Sequence, residues 1–262
     1  MRMTDKSTRM FLRLWNTPTP FCPADAVASP GASKVCARFY AIELGTVEGL
    51  SFFFHKGDIR VIHVHYHDGP PAITTYNRLS TSLREDTRAV WIYIPLSKPD
   101  RLFKFGVREY FRGGRLVVLG TKMLGDVVFG QPGTRVSRDK RTKSPHPLTL
   151  VYGDAKDDMS GVPFFGALTK DGPPAYTMPL GPMEWPAAPR RVRADRRQLR
   201  DAYFTSAPLS NILSLRIYFV GDTKRCCGIL FKYGDNTARS VGQCRVGYDR
   251  YEEVLSPEGL CI

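Results

Sequence analysis

Residues 52–67 constrain the fold more than any other stretch: Phe52-Phe-Phe-His55, a turn at Lys56-Gly57-Asp58, then Arg60-Val-Ile-His-Val-His-Tyr-His67. In the second segment Ile62, Val64 and Tyr66 alternate with Val61, His63, His65 and His67. A period of two sends successive side chains to opposite faces, which suits a half-buried strand and not a helix. The rhythm returns near the other end in Leu213-Ser-Leu-Arg-Ile-Tyr-Phe-Val220, Cys226-Cys-Gly-Ile-Leu-Phe-Lys-Tyr233 and residues 239–246. Turns at Gly221-Asp222 and Gly234-Asp235-Asn236 separate these segments, so the spacing predicts a three-stranded meander. Further strands are expected over 35–50, 89–96, 102–110 and 115–119, the last two joined at Arg112-Gly113-Gly114. With 23 glycines and 20 prolines in 262 residues, turns are abundant enough for one domain made mainly of short strands. The expected class is mainly β: an antiparallel sandwich, a barrel or a β-prism-like fold with one short helix and long loops.

Four segments lack the rhythm. Residues 1–34 carry Pro18, Pro20, Pro23 and Pro30 among small residues and read as an arm lying over the surface of a single β-rich domain, 35–262. Residues 131–147 are dominated by Arg135, Arg138, Lys140, Arg141 and Lys143 and read as a solvated loop. Recurrent Pro and Gly make 153–189 a second surface loop. Residues 190–201, uninterrupted by Gly or Pro and rich in Ala, Arg, Gln and Leu, form the one good helix candidate.

The two rhythmic regions also resemble each other. Both read as an aromatic strand, a Gly-Asp turn, an aliphatic strand and a second glycine turn, which suggests a duplicated hairpin whose copies cover each other's apolar faces. The unit Leu215-Arg-Ile-Tyr-Phe219, with Gly228-Ile-Leu-Phe-Lys-Tyr-Gly-Asp235 and Ser240-Val-Gly242, resembles the hairpin repeat of jacalin-like lectins. That resemblance implies a β-prism and a sugar held by a Gly-x-x-x-Asp loop. The nearest stretch here is Gly247-Tyr248-Asp249-Arg250-Tyr251, whose acid stands at a different place, so Tyr248 and Asp249 become candidate ligand contacts. As a whole the chain is also similar to a family of filamentous-fungal proteins, a likeness that implies no activity.

Two clusters carry chemistry of their own. Arg193, Arg196, Arg197 and Arg200 would line one stripe of a helix, a geometry that grips phosphates and suits a polyanion. The formal charge of +13 adds a field attractive to anions. His63, His65 and His67 fall on one side of a strand, where zinc is the natural ion for imidazoles. Cys226 and Cys227 read as small buried hydrophobes, and the sparse cysteines as reduced thiols. There is no nucleophile elbow, P-loop, HExxH or dinucleotide fingerprint, and no apolar run long enough for a signal peptide or a membrane span. The expectation is therefore an intracellular, cytoplasmic, non-enzymatic binding protein without a cofactor, taking carbohydrate or protein. The alternatives are an enzyme with a dispersed site, zinc-dependent at His63 and His65, and a polyanion-binding module.

Overall fold

The computed structural model describes residues 27–28, 37–79, 89–97, 100–111, 114–133, 136–155, 162, 164–169, 177–178 and 202–257. Its strands in chain order are β1 (Val27–Ala28), β2 (Ala37–Ile42), β3 (Gly49–His55), β4 (Asp58–His65), β5 (Ala89–Pro95), β6 (Leu102–Tyr110), β7 (Arg115–Thr121), β8 (Gly125–Gly130), β9 (Val136–Ala155), β10 (Phe164–Thr169), β11 (Thr177–Met178), β12 (Ile212–Phe219), β13 (Cys226–Tyr233), β14 (Ala238–Gly242) and β15 (Tyr251–Leu255). Among the described residues there is one α-helix, α1 (Ala72–Arg78), and it is too short to cross a membrane. The strands form an eight-stranded sheet, a four-stranded sheet ordered β14-β13-β12-β15 and a three-stranded sheet ordered β4-β3-β5, all antiparallel and none closed into a barrel. The fold is mainly β and sandwich-like, as the alternation predicts.

Alternation along β3 sets the layering. Leu50, Phe52 and Phe54 point one way, with Ile62 and Val64 of β4 and Ile92 and Ile94 of β5, into the main core. There they meet the large sheet: the Phe52 ring lies 4.6 Å from Phe129 of β8 and 5.9 Å, edge-on, from Phe165 of β10. A bulge between Phe53 and Phe54 restores the phase, so that Ile59 joins this core although Arg60 and Val61 precede Ile62. The opposite face of the small sheet carries Ser51, Phe53, Val61, His63, His65, Trp91 and Tyr93. The two hairpins therefore do not cover each other's apolar faces as the repeat suggests. The large sheet takes the first hairpin's face, and Leu215, Phe231 and Tyr233 build a separate cluster on the second. Contact between them runs instead through β5 and β14, where Ser240 Oγ donates to the Tyr93 carbonyl and Gln243 Oε1 accepts the Trp91 N–H at 3.0 Å.

Three segments read as irregular contain strand. Residues 136–147 of the basic stretch are the first part of β9, paired with β6 through Val107↔Lys140 and with β11 through Thr177↔Thr142. The β6 ladder along one edge, with β11 on the other at Arg141 and Thr142, holds this strand without apolar alternation, which is why the sequence hides it. The pairing with β6 slips between Lys143 and Leu148, where Pro145 and Pro147 have no N–H to give. Within 153–189, Phe164–Thr169 is β10, with Phe165 and Ala167 buried. In the expected arm, Val27–Ala28 pairs with β10. Cys226 is exposed and Cys227 half-buried, because the ladder slips at Tyr218/Phe219 where the hairpin ends; among the described cysteines only Cys244 is buried as a small hydrophobe.

The β3–β4 loop is two residues long, Lys56 and Gly57, both at positive φ (51° and 86°), the geometry of a type I′ turn that matches strand twist. A Cβ on Gly57 would sit 2.7 Å from the Gly114 nitrogen and press on the Gln131 side chain. Gly57→Ala should therefore lose about 2 kcal/mol of stability in urea titration; an unchanged midpoint would show that the turn relaxes freely.

Candidate functional site

The face of the small sheet turned away from the large one is roofed by α1 and by the 243–250 loop, and an aromatic recess opens between them. Helix α1 follows Pro70-Pro71, and its buried Ala72 and Thr75, continued by Leu79, form the stripe that docks on Phe53 and Trp91. Ile73, Thr74 and Thr75 are weak helix formers, so this helix of about two turns is held by docking and not by propensity. It delivers Tyr76, whose ring stacks on Trp91 at 5.8 Å and 25°. Phe53 lies 4.8 Å from the same indole.

The loop supplies the other wall. Tyr248 and Asp249 both donate their N–H to the Arg245 carbonyl at 3.0 Å, a tight turn that folds the side chains back on one another. Arg245 then grips Asp249 with two bonds, Nε to Oδ2 at 2.6 Å and Nη2 to Oδ1 at 2.8 Å, a bidentate pair whose carboxylate is 2% exposed. The guanidinium also sits 5.0 Å from the centre of the Tyr248 ring. Held this way, Tyr248 lies 6.4 Å from Trp91 with planes 24° apart, yet remains 53% exposed. Tyr76 and Tyr248 each lie within about 25° of the buried Trp91 plane and are tilted by 41° to one another, an aromatic cluster whose exposed member is Tyr248. Cys227 Sγ donates to Asp249 at 3.5 Å, and burial together with that carboxylate pushes its thiol up to about 12, so it is no nucleophile at neutral pH.

His55, Arg60, Gln243 and Arg245 add polar groups to a lining otherwise made by Phe53, Phe54, Tyr76, Trp91 and aliphatic side chains. The room for solvent centres is about 30 Å³, enough for roughly two or three waters. Pockets that engulf a small molecule run to roughly 300–1,000 Å³. This recess instead offers one face of a ligand a place to lie.

Beneath it runs a buried polar chain. The Trp91 indole N–H donates to Ser51 Oγ at 2.8 Å, and Ser51 Oγ lies 2.8 Å from His65 Nε2. An indole only donates, so Ser51 Oγ accepts from Trp91 and shares its second hydrogen bond with His65 Nε2 in the direction that the imidazole tautomer sets. The His63 and His65 rings meet edge to face at 4.7 Å, and His63 Nδ1 lies 2.7 Å from Thr75 Oγ1 on α1. Burial, reinforced by the neighbouring His63, lowers His65 to about 3; burial also lowers His63, with Arg78 adding and the Pro70 carbonyl opposing.

Of the residues named from sequence, the structure places Tyr248 6.4 Å from Trp91, next to the recess, and Asp249 buried in its pair with Arg245, which lines the recess. It places His63 and His65 on the expected side of β4, but the strand ends at His65. His67 lies beyond the ladder, exposed, and bonds Glu48 at 2.9 Å instead of joining the other two rings. Among the described residues no group of three His, Cys, Asp or Glu is placed to hold a metal ion. Arg193, Arg196, Arg197 and Arg200, with the expected helix 190–201, lie outside the described residues. The sequence reading missed Arg60, Tyr76, Gln243 and Arg245. The i,i+4 pairing of Arg245 with Asp249, and the spacing of Ala72, Tyr76 and Leu79 after a double proline, are the signals that point to them. No family model, no curated protein and no solved structure matches the chain.

Proposed function

We propose that this chain is a carbohydrate-binding protein and not an enzyme, and that its ligand lies on the exposed Tyr248 ring of the Tyr76–Trp91–Tyr248 cluster. The observation that carries the reading is the exposed Tyr248 ring, fixed over Trp91 by the Arg245–Asp249 pair before any ligand arrives. A sugar ring has an apolar C–H face and an equatorial fringe of hydroxyls, so it needs a flat aromatic surface beside hydrogen-bonding groups. Tyr248 gives the first; Arg245 at its ring, and the polar side chains of the adjoining recess, supply the second. Preorganisation removes the ordering entropy a mobile loop would otherwise lose on binding. The shallow floor fits a ligand that lies on the surface, and the resemblance of 215–242 to jacalin-like hairpins points to the same class.

Covering half of an exposed Tyr ring is worth about 1–2 kcal/mol. Tyr248→Ala should therefore weaken retention on an oligosaccharide array about tenfold, while the melting temperature moves by only a few degrees, since the ring is half in solvent. Undiminished retention by the folded variant would remove Tyr248 from the binding surface and with it this reading.

A further inference from the structure

Independently of the ligand surface, we infer that β15 is a docking edge for a second copy of this chain, and that two copies join their four-stranded sheets by pairing β15 with β15, antiparallel, about a twofold axis. β15 closes the sheet order β14-β13-β12-β15, and all five of its residues are exposed. Which of its backbone groups point outward follows from its ladder with β12. The Phe219 N–H donates to the Arg250 carbonyl at 3.1 Å and the Ser256 N–H to the Leu213 carbonyl at 2.8 Å, so the even-numbered residues, Glu252 and Val254 among them, turn their backbone groups to β12. Tyr251, Glu253 and Leu255 turn theirs away. Other strand edges have partners among the described residues: Thr205 Oγ1 accepts the Gly242 N–H of β14, the Gly130 carbonyl of β8 accepts the Phe204 N–H, and the Ile59 carbonyl of β4 accepts the Val162 N–H. β15 contains no Pro or Lys, and its ladder with β12 runs without a bulge, so the devices that keep an edge from pairing are missing.

A second copy fits this edge because the edge is complementary to itself. Centred on Glu253, the twofold register sets Tyr251 against Leu255 of the second copy and Glu253 against its own counterpart, so that all three outward residues exchange their N–H and C=O bonds. Tyr251 and Leu255, 46% and 74% exposed, then cover each other as a cross-strand aromatic–aliphatic pair, twice over by symmetry. The apposed carboxylates are compensated. Arg216 Nε and Lys232 Nζ lie 3.2 and 3.7 Å from Glu253 Oε1, so each copy brings two cations to the meeting point. Glu252 and Val254 fall on the other face of the strand, where Glu252 stays in water. The +13 charge of the chain opposes the approach of two copies, and an acidic strand is where that repulsion is least.

The test takes the full chain from about 1 to about 200 µM in size-exclusion chromatography with light scattering. The mass is expected to rise to twice that of the chain and to stop there, because a twofold contact closes on itself. Leu255→Pro removes one outward N–H and one apolar side chain while sparing the bonds to β12, and should weaken the dimer at least about tenfold. Leu209→Ala trims a comparably exposed leucine outside β15 and should leave it unchanged. Thermal melting confirms that both variants are folded. In the wild type, amide exchange read residue by residue should slow with concentration at Tyr251, Glu253 and Leu255 and stay independent of it at Glu252 and Val254, an alternation that depends on no variant. A monomer throughout the range overturns the inference, as does a dimer equally tight in Leu255→Pro or one that slows exchange only outside β15. Growth beyond two copies overturns it too, since that needs a contact that does not close.

Discussion

Arg239→Ala is expected to destabilise the protein by about 3–5 kcal/mol, because it removes one partner of a buried polar knot. Arg239 leaves β14 and enters the β7–β8 turn, where its guanidinium donates to the Leu124 carbonyl and lies 3.5 Å from that of Asp126. Burial pulls its pKa down, and the nearby Tyr233, Asp100 and Asp126 oppose the shift. Asp100 is fully buried: its Oδ1 accepts the N–H of Arg101 at 3.1 Å and of Met123 at 3.0 Å, while Oδ2 has no hydrogen-bond partner. Take the cation away and the Leu124 carbonyl loses its donor while the carboxylate loses its compensating charge. Urea titration gives the loss directly. If the cause is the stranded Asp100, adding Asp100→Asn should cost less in the Arg239→Ala background than in the wild type. A midpoint unmoved by Arg239→Ala would mean that water replaces the guanidinium and that the knot ties nothing.

Acid should unfold the protein earlier than its carboxylates alone would dictate, and His65 should account for most of the excess. An imidazole titrates near 6.5 in an unfolded chain, whereas folded His65 is held at about 3. Below pH 6.5 the unfolded state therefore binds a proton that the folded state refuses. Stability is intact above about pH 6.5, declines as the pH falls through that value and goes on declining toward pH 3. At 1.36 kcal/mol per pH unit the His65 share is about 2 kcal/mol at pH 5 and on the order of 4 kcal/mol near pH 3. His63, also lowered, adds in the same direction. Between pH 7 and 5 most carboxylates have not begun to titrate, so the imidazoles can be read there. His65→Gln keeps a hydrogen-bond partner for Ser51 and should flatten the stability curve across that interval. Parallel curves for wild type and variant would place the acid sensitivity elsewhere.

Strands were legible in the sequence wherever apolar or aromatic runs end at glycine turns. β3 is buried along its whole length and reads as such a run, while β13 comes nearer to the alternation of a half-buried strand. β9 escaped because the β6 ladder, with β11 at Arg141 and Thr142, holds its backbone, so its side chains are free to be Arg and Lys. α1 escaped because its intrinsic preference is poor and its stability comes from Phe53 and Trp91, which lie far from it in sequence. The candidate site was half legible. Trp91 stands in a run that reads as core, and Tyr248 and Asp249 in a loop singled out by its likeness to a sugar-binding one. What brings them together is the docking of α1 and of the 243–250 loop on a shared face, a tertiary event without a local signature. The histidine pattern was right about which side His63 and His65 face and wrong about His67, because a period of two holds only as far as the ladder does.

The double duty of β9 bears on how the chain reaches its native state. Ala37 pairs with Ala155 and Tyr40 with Tyr152, while Phe165 takes the other edge of the same Tyr152. During synthesis β2 waits, unpartnered, until most of the chain has left the ribosome. Distant closure of this kind is slow, and each delayed edge is adhesive in the meantime. The nascent chain thus passes through an interval in which its sheet lacks a spine and adhesion between exposed edges competes with closure.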